Sequence, residues 1–280
     1  MHLNRTVKYL IIKIILIASI GKVGAQVVSN AQLGTKAPRP WKLAFDSSLA
    51  SNLHKVSDSV NNQLSNSFAF AASYTVENIG KFGISELMDK DLRGDRLETW
   101  YDPSLSFSRS IYKFNDQVSL SGKIASTIPV SEESTKTASL ITTTTLTPSL
   151  SIDLDNQVKG LALLYAPNFK RSFHTYQTKS DGSSNIAYSW SNRLVVSYGF
   201  LDKFSIVLDQ SYGRSTTYLG NTKDKFNFDQ SLNYEMNGNV AFALGHSLGG
   251  SALAANGRDS NVSVFDKDES QVYLTISLSL

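Results

Sequence analysis

The chain has no cysteine among its 280 residues. That excludes disulfides, thiolate metal sites and a thiol nucleophile together. Histidine is limited to His2, His54, His174 and His246, so imidazole-based metal binding and general-base chemistry have few candidates. Beyond residue 26 there is no apolar run approaching the ~20 residues that a membrane helix requires. Charge of one sign is missing too. The formal +3 rests on Arg5, Lys8, Lys13 and Lys22, and without them 23 basic residues face 24 acidic ones. Nothing in that balance points to nucleic acid as a partner. The chain also lacks a cofactor motif, a phosphate-binding loop and any metal-ligand spacing.

What the N-terminus does contain is the pattern of an export signal. Arg5 and Lys8 make a positive start, and residues 9–20 form an apolar run interrupted by Lys13 and Ser19. Val23, Gly24 and Ala25 then supply small residues at the spacing of a cleavage site. The expectation is a signal peptide over residues 1–25, cleaved after Ala25, followed by a tail over residues 26–40. The apolar run is short for a membrane anchor.

From there on, hydrophobic residues are distributed by alternation. Successive side chains of a strand point to opposite faces, so a period of two separates an apolar face from a polar one. At the C-terminus Val272, Leu274, Ile276, Leu278 and Leu280 share one face, while Gln271, Tyr273, Thr275, Ser277 and Ser279 share the other. Upstream, Phe226, Phe228, Leu232, Tyr234 and Met236 alternate with Asn227, Asp229, Ser231, Asn233 and Glu235. Ile186, Tyr188, Trp190, Leu194, Val196 and Tyr198 oppose Ser189, Ser191, Arg193 and Ser197. Ser104, Ser106, Ser108 and Ser110 oppose Leu105, Phe107 and Ile111. Runs of about ten residues match the length of a tilted strand that crosses a bilayer.

The connections alternate as well. Short ones rich in Asp, Asn or Gly fall at residues 113–116, 154–157, 200–203 and 237–239, where tight turns need such residues. Long polar ones fall at residues 130–138, 168–183, 216–225 and 251–270. With the export segment and the final apolar-alternating strand, this organisation resembles the Gram-negative outer-membrane β-barrels, over residues 41–280. The resemblance implies an outer-membrane location, contact with lipid and a final strand presented to the barrel-assembly machinery. One departure is Leu280, where the class usually ends in an aromatic residue; Tyr273 is available for that role. Short turns in this class face the periplasm, which would put both termini there.

The expected fold is therefore an all-β, closed antiparallel transmembrane β-barrel. Residues 99–280 supply nine strands, and an even count recruits residues 41–51, 66–76 and 82–88, giving twelve. Ten would result if residues 41–51 stayed outside. Three features conflict with the pattern: Pro148 in mid-strand, Arg109 on the apolar face, and residues 158–167, apolar on both faces.

The segment from Gly245 to Gly249 matches the G-x-S-x-G nucleophile elbow of α/β-hydrolases, with Ser247 as nucleophile. That family places its acid and histidine after the serine, and no histidine follows Ser247. The local pattern is that of a strand, so an esterase or phospholipase ranks last and no catalytic residue is assigned. The inward face is instead rich in Ser, Thr, Ala and Gly, with charges of both signs at Lys42, Asp46, Lys123, Lys159, Arg193, Asp209, Asp229 and Glu235. Such charges set the field of a pore or brace a nearly closed barrel by ion pairing. The expectation is a porin-like channel passing small hydrophilic solutes, with a non-conducting barrel that displays its outer loops as the alternative.

Overall fold

The computed structural model describes residues 39–54, 62–93, 96–254 and 256–280. The expected signal segment and nearly all of the expected tail lie outside them. Among the described residues there are fourteen strands. The first seven are β1 (Trp41–Asn52), β2 (Leu64–Val76), β3 (Gly80–Asp91), β4 (Glu98–Trp100), β5 (Ser104–Lys113), β6 (Val118–Thr127) and β7 (Leu140–Asp153). They are followed by β8 (Leu161–Tyr165), β9 (Asn168–His174), β10 (Ile186–Leu201), β11 (Phe204–Thr217), β12 (Thr222–Asn237), β13 (Val240–Ser251) and β14 (Gln271–Ser279).

All pairings are antiparallel, and β10 pairs with β11 while β14 pairs with β1, so the sheet closes on itself. Twelve staves make up the ring, because two of them are broken in the middle. β4 and β5 both lie along β3, and β8 and β9 both lie between β7 and β10. Each break holds a proline, Pro103 in one and Pro167 in the other. Proline cannot donate to a ladder, so a strand is interrupted where it stands.

Pro148 is accommodated by the same logic. Leu150 pairs with Tyr165 and Leu146 with Phe169, which sets Pro148 opposite Pro167. The Leu154 N–H bonds the Leu161 carbonyl in the same register, so even positions of β7 point their backbone groups toward this neighbour. Two prolines thus face each other at one ladder position, and no amide is left without a partner. Beside the gap Asn168 Nδ2 donates to Thr147 Oγ1 at 2.9 Å.

Register fixes the faces. Leu278 pairs with Phe45 and Leu274 with Leu49 and Leu244; these side chains point out of the ring, and the four leucines are exposed. Thr275 points inward, where its hydroxyl meets that of Ser48 at 2.8 Å. Val207, which breaks the alternation of β11, is an inward residue and is fully buried. Aromatic pairs mark the short-turn edge of the outer surface, among them Phe204–Tyr234 at 4.9 Å and Phe82–Phe107 at 5.0 Å. Toward the other edge Trp190 and Tyr212 are 6.1 Å apart. Arg109 also points outward, opposite Gly122, and is exposed.

Residues 41–51 lie within the barrel as β1, as the twelve-strand count required. Two expectations need correction. Residues 168–174 form strand β9 and not the start of a loop, which confines the β9–β10 connection to residues 175–185 and makes His174 a strand end. The connection expected over residues 216–225 shrinks to residues 218–221, because β11 and β12 continue as a hairpin beyond the apolar band.

An outward charge in this wall should cost far more than an inward one. Leu274→Arg is expected to destabilise the barrel by about 2–4 kcal/mol, the range for a basic residue on the lipid face near mid-membrane. Ser277→Arg, an inward substitution on the same strand, should cost much less. Urea unfolding in lipid vesicles measures both.

Candidate solute path through the barrel

Inward positions along β7 are Thr143, Thr145, Thr147, Ser149 and Ser151, and serine or alanine recurs on β1, β2 and β14. These short side chains leave space along the axis, into which a few charged groups project.

Of the anticipated charges, Lys42 and Asp46 lie inward on β1, Lys123 on β6, Arg193 on β10, Asp209 on β11, and Asp229 and Glu235 on β12. Lys159 does not join them. It lies in the exposed connection between β7 and β8, residues 154–160, at the short-turn edge. The alternation that suggested an inward lysine is broken there by the turn, in which Asp155 Oδ1 accepts the Gly160 N–H at 2.7 Å.

The structure groups the inward charges in two ways. Arg193 Nε donates to both oxygens of Asp209, at 2.9 and 3.0 Å, and its Nη2 makes a further contact to Oδ2. Asp209 pairs with Asp229 across the β11–β12 ladder, and Asp229 accepts a hydrogen bond from the Tyr273 hydroxyl at 2.8 Å. A belt of bonded groups therefore runs from β10 to β14. Beneath it Val195, Ser197, Ser205 and Val207 are buried, so this side of the interior is filled.

The opposite arc carries basic groups. Lys42, Lys81 and Lys123 are close enough for their charges to repel. Outside that arc, Lys170 on β9 interacts electrostatically with Lys225 on β12 and with Asp102. Sequence reading missed Lys81, Lys170 and Lys225. Lys81 begins the poorly alternating β3, and the other two lie in segments read as loop, although Phe169 and Phe173 alternating with Lys170 and Ser172 carried the signal of a strand.

At the outer mouth the β6–β7 connection, residues 128–139, contains one π-helical turn, Glu133–Thr137. Asp102 holds it by accepting the Val130 and Ser131 N–H groups, each at 2.8 Å, and the Ser134 hydroxyl. The next outer connection is tied to it. Lys179 Nζ meets Glu133 Oε1 at 2.6 Å, the Ser180 N–H bonds the Thr137 carbonyl, and Asn185 Nδ2 bonds the Ala138 carbonyl at 2.9 Å. The two connections form one cap whose position depends on Asp102.

Ser247 faces the interior within continuous strand β13, opposite Asp229 and Gln271, and His246 points to the other side of the wall. No strand-to-helix turn exists at this point, so the residues of the apparent elbow are not arranged as a nucleophile and its base. Among the described residues no group of three or more His, Asp or Glu is placed to hold a metal ion, and no helix is long and apolar enough to cross a membrane.

A closed antiparallel ring with an apolar outer surface and a polar interior is the architecture of a transmembrane β-barrel. Solved structures share this fold. An outer membrane channel from Pseudomonas putida F1 superposes with a TM-score of 0.56 at 14% identity, covering 88% of this chain and 97% of that one. The NanC porin superposes with a TM-score of 0.50 at 13% identity, covering 85% and 98%. No family model matches the chain, and no curated protein matches its sequence.

The cap should respond to acid. Burial pushes the Asp102 carboxyl up, but the hydrogen bonds from Ser134, Ser131 and Val130 outweigh it and hold its pKa below the ordinary carboxylate value. A depressed pKa gives a stabilisation that is complete above the usual carboxylate range and is lost as pH falls through the lowered value. A spin label at Lys136→Cys should accordingly be immobile at neutral pH and gain mobility in acid. In Asp102→Asn it should be mobile across the whole range.

Proposed function

We propose that the barrel is a passive channel for small hydrophilic solutes in the outer membrane. The observation that carries this reading is the polar interior, lined by hydroxyl side chains, with Lys42, Lys81 and Lys123 gathered on one arc. Short polar walls admit water, and like charges lining a narrow passage focus a field on the ions within it. On this reading the lysine arc draws anions, and the Arg193–Asp209 pair braces the far wall more than it selects. Asp46, Asp229 and Glu235 temper the preference. Residues 1–25 direct export and are removed after Ala25, and the terminal strand presents its apolar face to the assembly machinery and afterwards to lipid.

A second reading is a non-conducting barrel that displays its outer connections. Support for it comes from the buried inward residues around Val195 and from the bonds that tie the β6–β7 and β9–β10 connections together. The two part in a planar bilayer. A channel gives discrete conductance steps, whereas a folded, heat-modifiable barrel that stays silent would remove the channel reading. If current flows, Lys81→Gln with Lys123→Gln should shift the reversal potential in a salt gradient toward greater cation preference. An unchanged potential would take those lysines out of the path.

A further inference from the structure

The outer surface over β10–β13 breaks its own rule. Asn192, Gln210, Gln230 and His246 all point outward, one on each successive strand, and together they make a slanting polar stripe. The stripe lies inside the apolar band. Gln210 stands between Phe204 and Tyr212 on its strand, Gln230 between Phe226 and Tyr234, and His246 between Phe242 and Leu248. Polar groups at such a depth cost free energy unless something meets them. Part of the need is met locally, since Tyr165 donates to Asn192 at 2.8 Å and Gln230 Nε2 lies 3.3 Å from His246 Nδ1. His246 Nε2 is buried and has no hydrogen-bond partner.

What covers the stripe is the connection between β13 and β14, residues 252–270. It was expected to stand in water as a long polar loop, yet it comes back onto the wall. Phe265 stacks on His246 with ring centroids 5.9 Å apart. Val262, Ser263 and Val264 close a cleft of about 310 Å³ whose other lining includes Asn192, Gln210, Phe226 and Phe228. Leu248 is fully buried against Phe226 and Ala252 at the upper end of this arrangement. The segment is built to stay in place. Its start is tied by the Ala252 N–H to the Asp224 carbonyl and by the Asn261 N–H to the Ala252 carbonyl. Its end is tied by the bonds between Asp266 and Ser270.

The other side of the segment is apolar and uncovered. Val262, Val264 and Phe265 are 53%, 64% and 60% exposed. On β13 and β14 beside His246 the outward residues Leu244, Val272 and Leu274 are exposed as well. Charged residues flank them, Arg258 and Asp259 before and the run from Asp266 to Glu269 after. Non-helical backbone is tolerated at membrane depth only where it lies against protein or a wet cavity. The amide side chains of Asn192 and Gln210 lie in the cleft beneath and offer donors and acceptors to it.

We propose that residues 261–265 form a strap immersed in the outer leaflet, with Val262, Val264 and Phe265 in contact with acyl chains and the polar stripe sealed beneath. The partner of this surface is membrane lipid, and the strap has that role whether or not the barrel conducts. Because the chain has no cysteine, one can be added cleanly. A fluorescent label is placed at Val264→Cys, and at Asn256→Cys as reference, in full-length protein folded into phosphatidylcholine vesicles. The Val264 label should lose emission when the acyl chains are brominated and keep it in aqueous iodide, with the reverse at Asn256. Quenching at Val264 by iodide, or by neither reagent, would overturn the proposal. Hydrogen exchange on the unmodified protein in the same vesicles gives an independent reading. Amides 262–265 should exchange more slowly than 256–260, and equal fast exchange would also overturn it.

Discussion

Backbone hydrogen bonding in a medium without water is the constraint on which the whole structure depends. Each amide and carbonyl of a membrane-crossing strand has to find a partner on a neighbouring strand, and an open edge would leave a row of them bare. Pairing of β14 with β1 and of β10 with β11 removes the edges. The exceptions obey the same rule, because where the ladder lapses a proline removes the donor. Pro148 opposite Pro167 is a gap with no amide to satisfy, which is why two prolines are tolerated at a single position of the wall.

Closure then decides where chemistry occurs. A ring with lipid outside has its polar half-residues facing one another across the interior, and twelve staves hold them at a separation between the packed small barrels and the open large ones. The interior is asymmetric within that space. One side is occupied by bonded groups, Arg193 with Asp209 and Asp229 with Tyr273, over buried Val195 and Val207. The other carries Lys42, Lys81 and Lys123 close together. The long connections add a cap held by Asp102 and a strap laid along the outside of the wall.

The amino-acid pattern disclosed the architecture because the membrane enforces alternation wherever a strand is immersed. β14 and β12 are legible residue by residue for that reason. Legibility fails where the enforcement stops. Above the apolar band β11 and β12 continue as a hairpin in which Arg214 and Asp224 point outward as an ion pair, so the segment reads as loop. β3 fails differently: Glu86 stands on the outer face opposite Phe70 while Leu87 is turned inward, which hides the strand and Lys81 with it. The inward charges other than Lys159 could be placed from parity alone. Which of them bond to one another could not, because bonding depends on register between strands, and the sequence of one strand carries no record of its neighbour's stagger. The strap escaped for a related reason, since its flanking charges mask the short apolar centre.

The central claim is that parity along each strand separates a wet interior from a lipid-facing exterior. Single cysteines introduced one at a time from Phe226 to Tyr234 on β12, each exposed in folded vesicles to a membrane-impermeant thiol reagent, test it most directly. The structure predicts labelling at residues 227, 229, 231 and 233, graded by burial, and protection at residues 226, 228, 230, 232 and 234. Protection throughout would mean a dry interior, labelling throughout would mean that the strand is not held in this register, and either result would contradict the account.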